Sequence, residues 1–423
     1  MTAPIIYNLF PRLAGPVDRW VEHARRAHEM GFDWLFLNPV TQPGFSGSLY
    51  AVREHDKLNR DFMPAGESGS GMDLLADCLG QIHELGLKVM MDLVINHTAI
   101  DSPLVEQHLD WYKRDEDGEV LRPSAIDPAD ARNVTVWGDL AEIDNEASSD
   151  RVGLWAYWTQ LVTDSLELGF DGFRCDAAYK VPAALWRQLV EAARAQCPEV
   201  KFFAETLGCR LDEVADLAPA GMDYLFNSSK YWNFDAPWAL SQHAEFGRIA
   251  PSISFPESHD TPRLMADTGG NLAVQRQRYN LASVFSEGLL MPMGYEFGFS
   301  VKMDVVQSKP QDWEETETDL SGFIRSVNHM KRSLPALGAE GHLLALGPFD
   351  RPLLVLEKRA AGQRCLFVIN KDWYQAQELD LADLDLPAAA RLIRFRDFGG
   401  VEQVAASSRV TLGPAEIAWL VDA

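Results

Sequence analysis

Cysteine is scarce in this chain: five occur in 423 residues, at Cys78, Cys175, Cys197, Cys209 and Cys365. The number is odd and the spacing scattered. No Cys-x-x-Cys pair marks a zinc site, and no dense framework marks a disulfide-stapled secreted fold. Long apolar runs are missing, so no segment reads as a bilayer-spanning helix. The opening residues, Met-Thr-Ala-Pro-Ile-Ile-Tyr-Asn-Leu-Phe, have neither the basic region nor the long apolar stretch of a secretory leader. A cytoplasmic location is therefore expected. Positive charge is in deficit: 38 Lys and Arg against 62 Asp and Glu leave a net charge of −24. Such a surface repels a polyanion, so nucleic acid is not an expected partner, and with no spanning segment neither is a membrane. A neutral sugar would be indifferent to it. Internal repeats and low-complexity tracts are also lacking.

What is present is a core-forming hydrophobic content of 47%, ample for a large domain with an appendage. Short apolar runs alternate with amphipathic segments of helical length. The strand-like runs are 5–10, 34–37, 88–94, 170–175, 201–204, 224–226, 252–255 and 288–291. Helical patterns at 17–30 and 72–85 end at Gly31 and Gly86, the residue type that closes helices. Eight βα units predict a parallel sheet closed into a (β/α)8 TIM barrel, an α/β fold, built from residues 1–97 and 151–337. Residues 98–150 interrupt the rhythm. They are rich in Asp, Pro, Asn and Trp, and read as a small excursion domain between strand 3 and helix 3, covering one side of the barrel mouth. Residues 338–423 change pattern again. Short alternating runs at 353–357, 364–369, 390–395, 409–412 and 417–420, with turn signals at Asn370-Lys371-Asp372 and Phe398-Gly399-Gly400, predict a C-terminal antiparallel β-sandwich domain.

Three carboxylates sit just past apolar runs: Asp176, Glu205 and Asp260. In a barrel, the C-terminal ends of the strands form the catalytic face. Carboxylates converging there suit glycoside chemistry, which needs a nucleophile, an acid/base and stabilisation of an oxocarbenium-like transition state. Arg174 lies two residues before Asp176, on the same strand face, where its charge would keep Asp176 ionised. Taken alone, the Arg174–Asp176 pair also reads as structural, and Glu205 as a helix cap. Cys175 points the other way along the strand and reads as a buried thiol.

Four segments occur in order: Asp92-Leu-Val-Ile-Asn-His97, Gly172-Phe-Arg-Cys-Asp176, Phe203-Ala-Glu205 and His259-Asp260. Together they resemble the α-amylase family of retaining α-glycosidases and transglycosylases, glycoside hydrolase family 13, over nearly the whole chain. The resemblance implies Asp176 as nucleophile and Glu205 as general acid/base. It implies Asp260 as the carboxylate that binds sugar hydroxyls and the distorted ring. His97 and His259 would donate to hydroxyls of the same sugar, and Asp92 would support the site. Tyr50 matches the family's stacking aromatic. Trp232 reads equally as an outer stacking platform or as core.

The chain departs from the family where Tyr179-Lys180 replaces the usual Lys-His after the nucleophile. Asn96 and Asp144 match half of a calcium site, so no cofactor is expected to be required. Segments around Lys309-Pro-Gln-Asp-Trp313 and Leu334-Pro-Ala-Leu337 are similar to the intracellular maltosyltransferase branch, which extends α-1,4-glucan from maltose 1-phosphate. Lys180 would then meet a phosphate, or else be a solvated lysine. The expected function is an intracellular α-glucan- or α-glucoside-active retaining glycosidase or transglycosylase. Its substrate is an α-glucan or short α-linked oligosaccharide. The alternatives are the maltosyltransferase and a non-catalytic amylase-like binding protein.

Overall fold

The computed structural model describes every residue except 1–2, 128–129, 385, 387–389, 397–399, 406–408 and 422–423. Eight parallel strands close a barrel: β1 (Ile5–Leu9), β2 (Trp34–Leu37), β3 (Lys88–Leu93), β4 (Gly172–Cys175), β5 (Lys201–Ala204), β6 (Tyr224–Phe226), β7 (Ser252–Ser254) and β8 (Gly288–Pro292). Each pairs with its sequence neighbours, and β8 pairs with β1. All eight fall on the runs the sequence marked as strands.

Alternation along the strands creates two apolar compartments. Ile6, Trp34, Phe36, Met90, Phe203, Phe226, Ile253 and Leu290 fill the barrel interior. The other faces pack beneath the helices in a larger core that includes Trp20, Trp158 and Trp186. Gly172 is dictated by the interior. A Cβ there would lie 2.7 Å from the Lys201 carbonyl and 3.2 Å from the Trp34 ring. The helices Trp20–Glu29, Met72–Glu84 and Arg151–Leu168 cover the outside of the early strands. Gly169 closes the last of them in the left-handed region.

Between β3 and β4 the chain forms two small antiparallel pairs, His97–Ala99 with Leu140–Glu142 and Ser124–Asp127 with Asp130–Val136. A second hairpin, Thr41–Pro43 with Val52–Leu58, follows β2. It had no clear sequence signal, because Val-Arg-Glu-His-Asp-Lys-Leu is mostly charged and lies over the barrel mouth rather than in a core.

Past the barrel, six antiparallel strands run in the spatial order His342–Ala345, Leu353–Ala360, Gln363–Asn370, Ile417–Val421, Arg391–Phe395 and Val401–Ala405. A two-stranded ladder, Gln377–Asp380 with Arg409–Leu412, encloses a separate apolar cluster with this sheet. Phe398 and Gly399 of the expected turn lie outside the described residues. Two buried lysines converge on one helix end of the barrel, Lys358 from the sheet strand Leu353–Ala360 and Lys331 from the helix Ser321–Ser333. Lys358 Nζ donates to the Val284 and Phe285 carbonyls, and Lys331 Nζ to those of Ser283, Ser286 and Leu337. They cap the C-terminal end of the helix Leu272–Phe285, where carbonyls lack helical partners.

Candidate active site

Register builds the centre of the site. Arg174 on β4 lies opposite Asp92 on β3 and Phe203 on β5. Arg174 Nη1 donates to both Asp92 carboxylate oxygens, at 2.8 and 3.0 Å, and to Asp176 Oδ1 at 2.6 Å. Its Nη2 stands 3.0 Å from Glu205 Oε1 and 3.8 Å from Asp260 Oδ2. One guanidinium therefore faces four carboxylates from β3, β4, β5 and the loop after β7. An arginine is suited to this, being always charged and presenting donors in a rigid fork. Cys175 points outward, as alternation requires, and is buried. Burial raises its thiol pKa well above the usual value.

The charges are unequal in environment. Burial raises the Asp176 pKa to about 6; Asp92 and Asp260 add to the rise while Arg174 opposes it. Glu205 is raised to about 7, by burial first and then by Asp176 and Asp260, against Arg174 and the Ala177 amide. Asp260 is the open one, with 46% of its side chain accessible. Burial acts to raise its pKa, but the adjacent His259 and Arg174 outweigh this and hold it well below the usual carboxylate range.

Tyr50 ties the other side together. Its hydroxyl donates to Asp92 Oδ2 at 2.7 Å, accepts from Asn38 Nδ2 at 3.0 Å and lies 2.6 Å from His259 Nε2. The Tyr50 and His259 rings are parallel, 5.8 Å apart. His259 Nε2 also reaches Asp260 Oδ2 at 3.0 Å. Asn38, which no sequence motif singled out, contributes one of these hydrogen bonds. His97 differs from expectation. Its Nε2 is engaged by the Tyr50 carbonyl at 3.1 Å, and its Nδ1 is buried without a partner. Burial lowers its pKa to about 4. At neutral pH the ring has one N–H, committed to that carbonyl, so the free nitrogen is an acceptor rather than the donor expected.

Two loops are held in shape by buried groups. Ala177 takes a left-handed conformation, φ 40° and ψ 47°, uncommon for a residue with a Cβ and found often at functional sites. This aims its amide at Glu205 Oε2, 2.7 Å away. Glu257, fully buried, accepts from Arg263 Nη1 at 2.8 Å and the Leu264 amide at 2.6 Å. It anchors the turn that carries His259 and Asp260.

Asp176, Glu205, Asp260, Tyr50, His97 and Lys180 line one cavity of about 480 Å³. Lys180 Nζ stands 5.7 Å over the Trp137 ring and 3.3 Å from the Ser124 carbonyl. Trp137, from the insertion after β3, also lines the cavity. Trp232 does not. It is fully buried, donates its indole N–H to the Ala236 carbonyl, and packs on Phe234, Phe285 and Phe349. The stacking alternative for Trp232 is overturned; it is core. Asn96 lines the cavity too, with Oδ1 buried and unpartnered, but Asp144 Oδ1 is taken by the Ala147 amide. Among the described residues no group of three or more His, Cys, Asp or Glu side chains is arranged to hold a metal ion.

Comparison with known proteins gives a consistent set of relatives. Residues 3–115 match the family described as glycogen debranching enzyme, glucanotransferase domain. An alpha-1,4-glucan:maltose-1-phosphate maltosyltransferase from Burkholderia pseudomallei is 28% identical over 387 residues, covering 88% of this chain and 33% of that protein. A maltogenic alpha-amylase from Bacillus acidopullulyticus is 23% identical, covering 87% and 64%. The chain thus spans from a third to somewhat under two-thirds of these relatives' lengths. The crystal structure of an alpha-amylase from Lactobacillus plantarum superposes with a TM-score of 0.78 at 20% identity, covering 100% of this chain and 99% of that one.

Proposed function

We propose that this chain is an α-amylase-family enzyme, an α-glucan- or α-glucoside-active glycosidase or transglycosylase working by retaining double displacement. Asp176 attacks the anomeric carbon while Glu205 gives its proton to the departing oxygen. A covalent β-glycosyl ester on Asp176 results. Water or a sugar hydroxyl then attacks the same carbon, losing its proton to Glu205 and releasing Asp176 as carboxylate. Asp260 and His259 hold hydroxyls of the sugar, and the Tyr50 ring lies beneath it.

The observation that carries this reading is the shared guanidinium. Asp176 and Glu205 contact the two Nη atoms of Arg174, and Glu205 also accepts from the amide next to Asp176. Two carboxylates held on one guanidinium form a close pair, which suits retention, whereas an inverting pair stands farther apart, roughly 6.5–9.5 Å, to admit a water. The ionisation order supports the same roles. Both carboxyls are raised, and Glu205 is raised further than Asp176, which favours a proton on Glu205 and the charge on Asp176.

Lys180 favours a second reading, transfer from maltose 1-phosphate, because it brings a cation to the cavity on the leaving-group side, where a phosphate would depart. One NMR experiment separates the two. The enzyme is incubated with maltooligosaccharides, with and without inorganic phosphate. Short sugars released as the α-anomer in both samples support the hydrolase or transglycosylase. A phosphorylated disaccharide formed only with phosphate supports the maltosyltransferase. Release of the β-anomer overturns both.

A further inference from the structure

The residues lining the cavity come from different sides of the barrel. Glu205 and the segment from Ala177 to Lys180 follow β5 and β4, so the leaving group departs on that side. Across the barrel, β8, β1 and β2 are consecutive neighbours. The loops after β8 and β2 bring Val305, Val306 and Ser48 to the same cavity, and these bound the donor side.

Those two loops are pinned together by Arg12, from the short helix Pro11–Ala14 that follows β1. Arg12 is 7% exposed, and its guanidinium bonds two points in the connection between β2 and β3 and one in the loop after β8. Nε donates to the Val305 carbonyl at 2.8 Å, Nη2 to the Gly47 carbonyl, and Nη1 to Asp61 Oδ2 at 3.3 Å. The Leu49 amide also donates to the Val305 carbonyl, at 3.1 Å. The β8 loop is stiff on its own account. Asp304 Oδ1 accepts from the Val306 and Gln307 amides, and the Asp304 amide donates to Ser308 Oγ. Val305 and Val306 therefore line this side of the cavity, and their side chains offer no hydrogen bond to a sugar hydroxyl.

We propose that Arg12 is a positioning residue that sets donor length: by strapping the two loops across the barrel mouth it closes the donor side, so the enzyme removes glycosyl units from non-reducing chain ends and seats two glucosyl units there at most. The inference rests on the retaining-glycosidase reading above. A cavity of about 480 Å³, shared between donor and acceptor, has room for roughly two or three sugar rings.

The test measures nitrophenol release from 4-nitrophenyl α-glucoside, α-maltoside, α-maltotrioside and α-maltotetraoside, with kcat and KM determined separately. For the unmodified enzyme, kcat/KM is expected to fall about tenfold or more once the donor exceeds two glucosyl units. Arg12→Ala should bring the longer donors back to within about threefold of the maltoside, mainly through KM, while the glucoside changes less than about twofold. Arg12→Lys, which keeps the charge but loses the fork, should fall between. Val306→Gly leaves the strap and removes the wall, so it should relax the same length dependence even if Arg12→Ala does not fold. A flat length profile in the unmodified enzyme overturns the closed end. Equal losses at every length in Arg12→Ala, or an unchanged profile in Val306→Gly, overturn the role of the strap. No turnover of any α-glycoside overturns the proposed function, and this inference with it.

Discussion

Replacing Arg174 by methionine removes the cation that Asp92, Asp176, Glu205 and Asp260 share. Two opposite charges about 4 Å apart in a medium of effective dielectric about 20 attract by about 4 kcal/mol. At 1.36 kcal/mol per pH unit, losing that attraction moves the ionisation of Asp176 up by roughly three pH units. Asp176 now titrates at about 6. In the variant it would hold its proton at neutral pH, and only about one molecule in a hundred would present the attacking carboxylate at pH 7. Glu205 moves in the same direction, because Arg174 also lowers its pKa. The whole activity bell should therefore slide to alkaline pH instead of merely shrinking. Asp92, with no exposed side-chain surface, loses its bidentate partner. Breaking such a buried pair costs about 3–5 kcal/mol of stability, lessened if Asp92 takes up a proton. The assay is kcat/KM for a 4-nitrophenyl α-glycoside across the pH range, with thermal unfolding alongside. Arg174→Lys is the control: it keeps the charge, so its acid limb should stay close to the original while its rate falls through lost geometry. An acid limb that does not move in Arg174→Met, with activity lost equally at all pH values, would refute the electrostatic account of Arg174.

Three further outcomes follow from the same geometry. Glu205→Gln should abolish the basic limb near pH 7 and lower turnover of natural leaving groups by about 10²–10⁴-fold, while a glycosyl fluoride, which needs no proton, loses far less; equal losses on both would count against an acid role. Tyr50→Phe keeps the ring but removes the hydroxyl that joins Asn38, Asp92 and His259; a destabilisation of about 1–3 kcal/mol is expected from the partners left unsatisfied, with a lowered kcat, and no change in either measurement would contradict the bridging function. Trp232→Ala should destabilise by about 3–5 kcal/mol as a core truncation yet leave KM unchanged at a temperature where the variant is folded; a raised KM with unaltered melting would restore its reading as a sugar platform.

The barrel was legible because its strands are short apolar runs punctuated by glycine, proline and helix-length amphipathic patterns, as at Trp34–Leu37 and Lys201–Ala204. The carboxylate cluster was legible because strand-end position and alternation place Arg174 and Asp176 on one face. Other features depend on contacts between distant segments, and no local pattern encodes those. Trp232 looks alike in sequence whether exposed or buried, and only packing on Phe285 and Phe349 decides it. The commitment of the His97 N–H to the Tyr50 carbonyl is a meeting of loops after β3 and β2. Asn38 and Arg12 act through partners brought close by barrel closure. The short strands His342–Ala345 and Gln377–Asp380 were missed because four residues are too few for alternation to show, and the second is also half charged.

The most direct test of the central claim is to trap the intermediate. The enzyme is mixed with a fluorinated α-glycosyl fluoride whose ring fluorine slows the second step, and the intact protein and its peptides are weighed. One glycosyl unit on the peptide containing Asp176, absent from Asp176→Ala, is the predicted result. Turnover without any labelled protein, or a label on another residue, would contradict double displacement at Asp176.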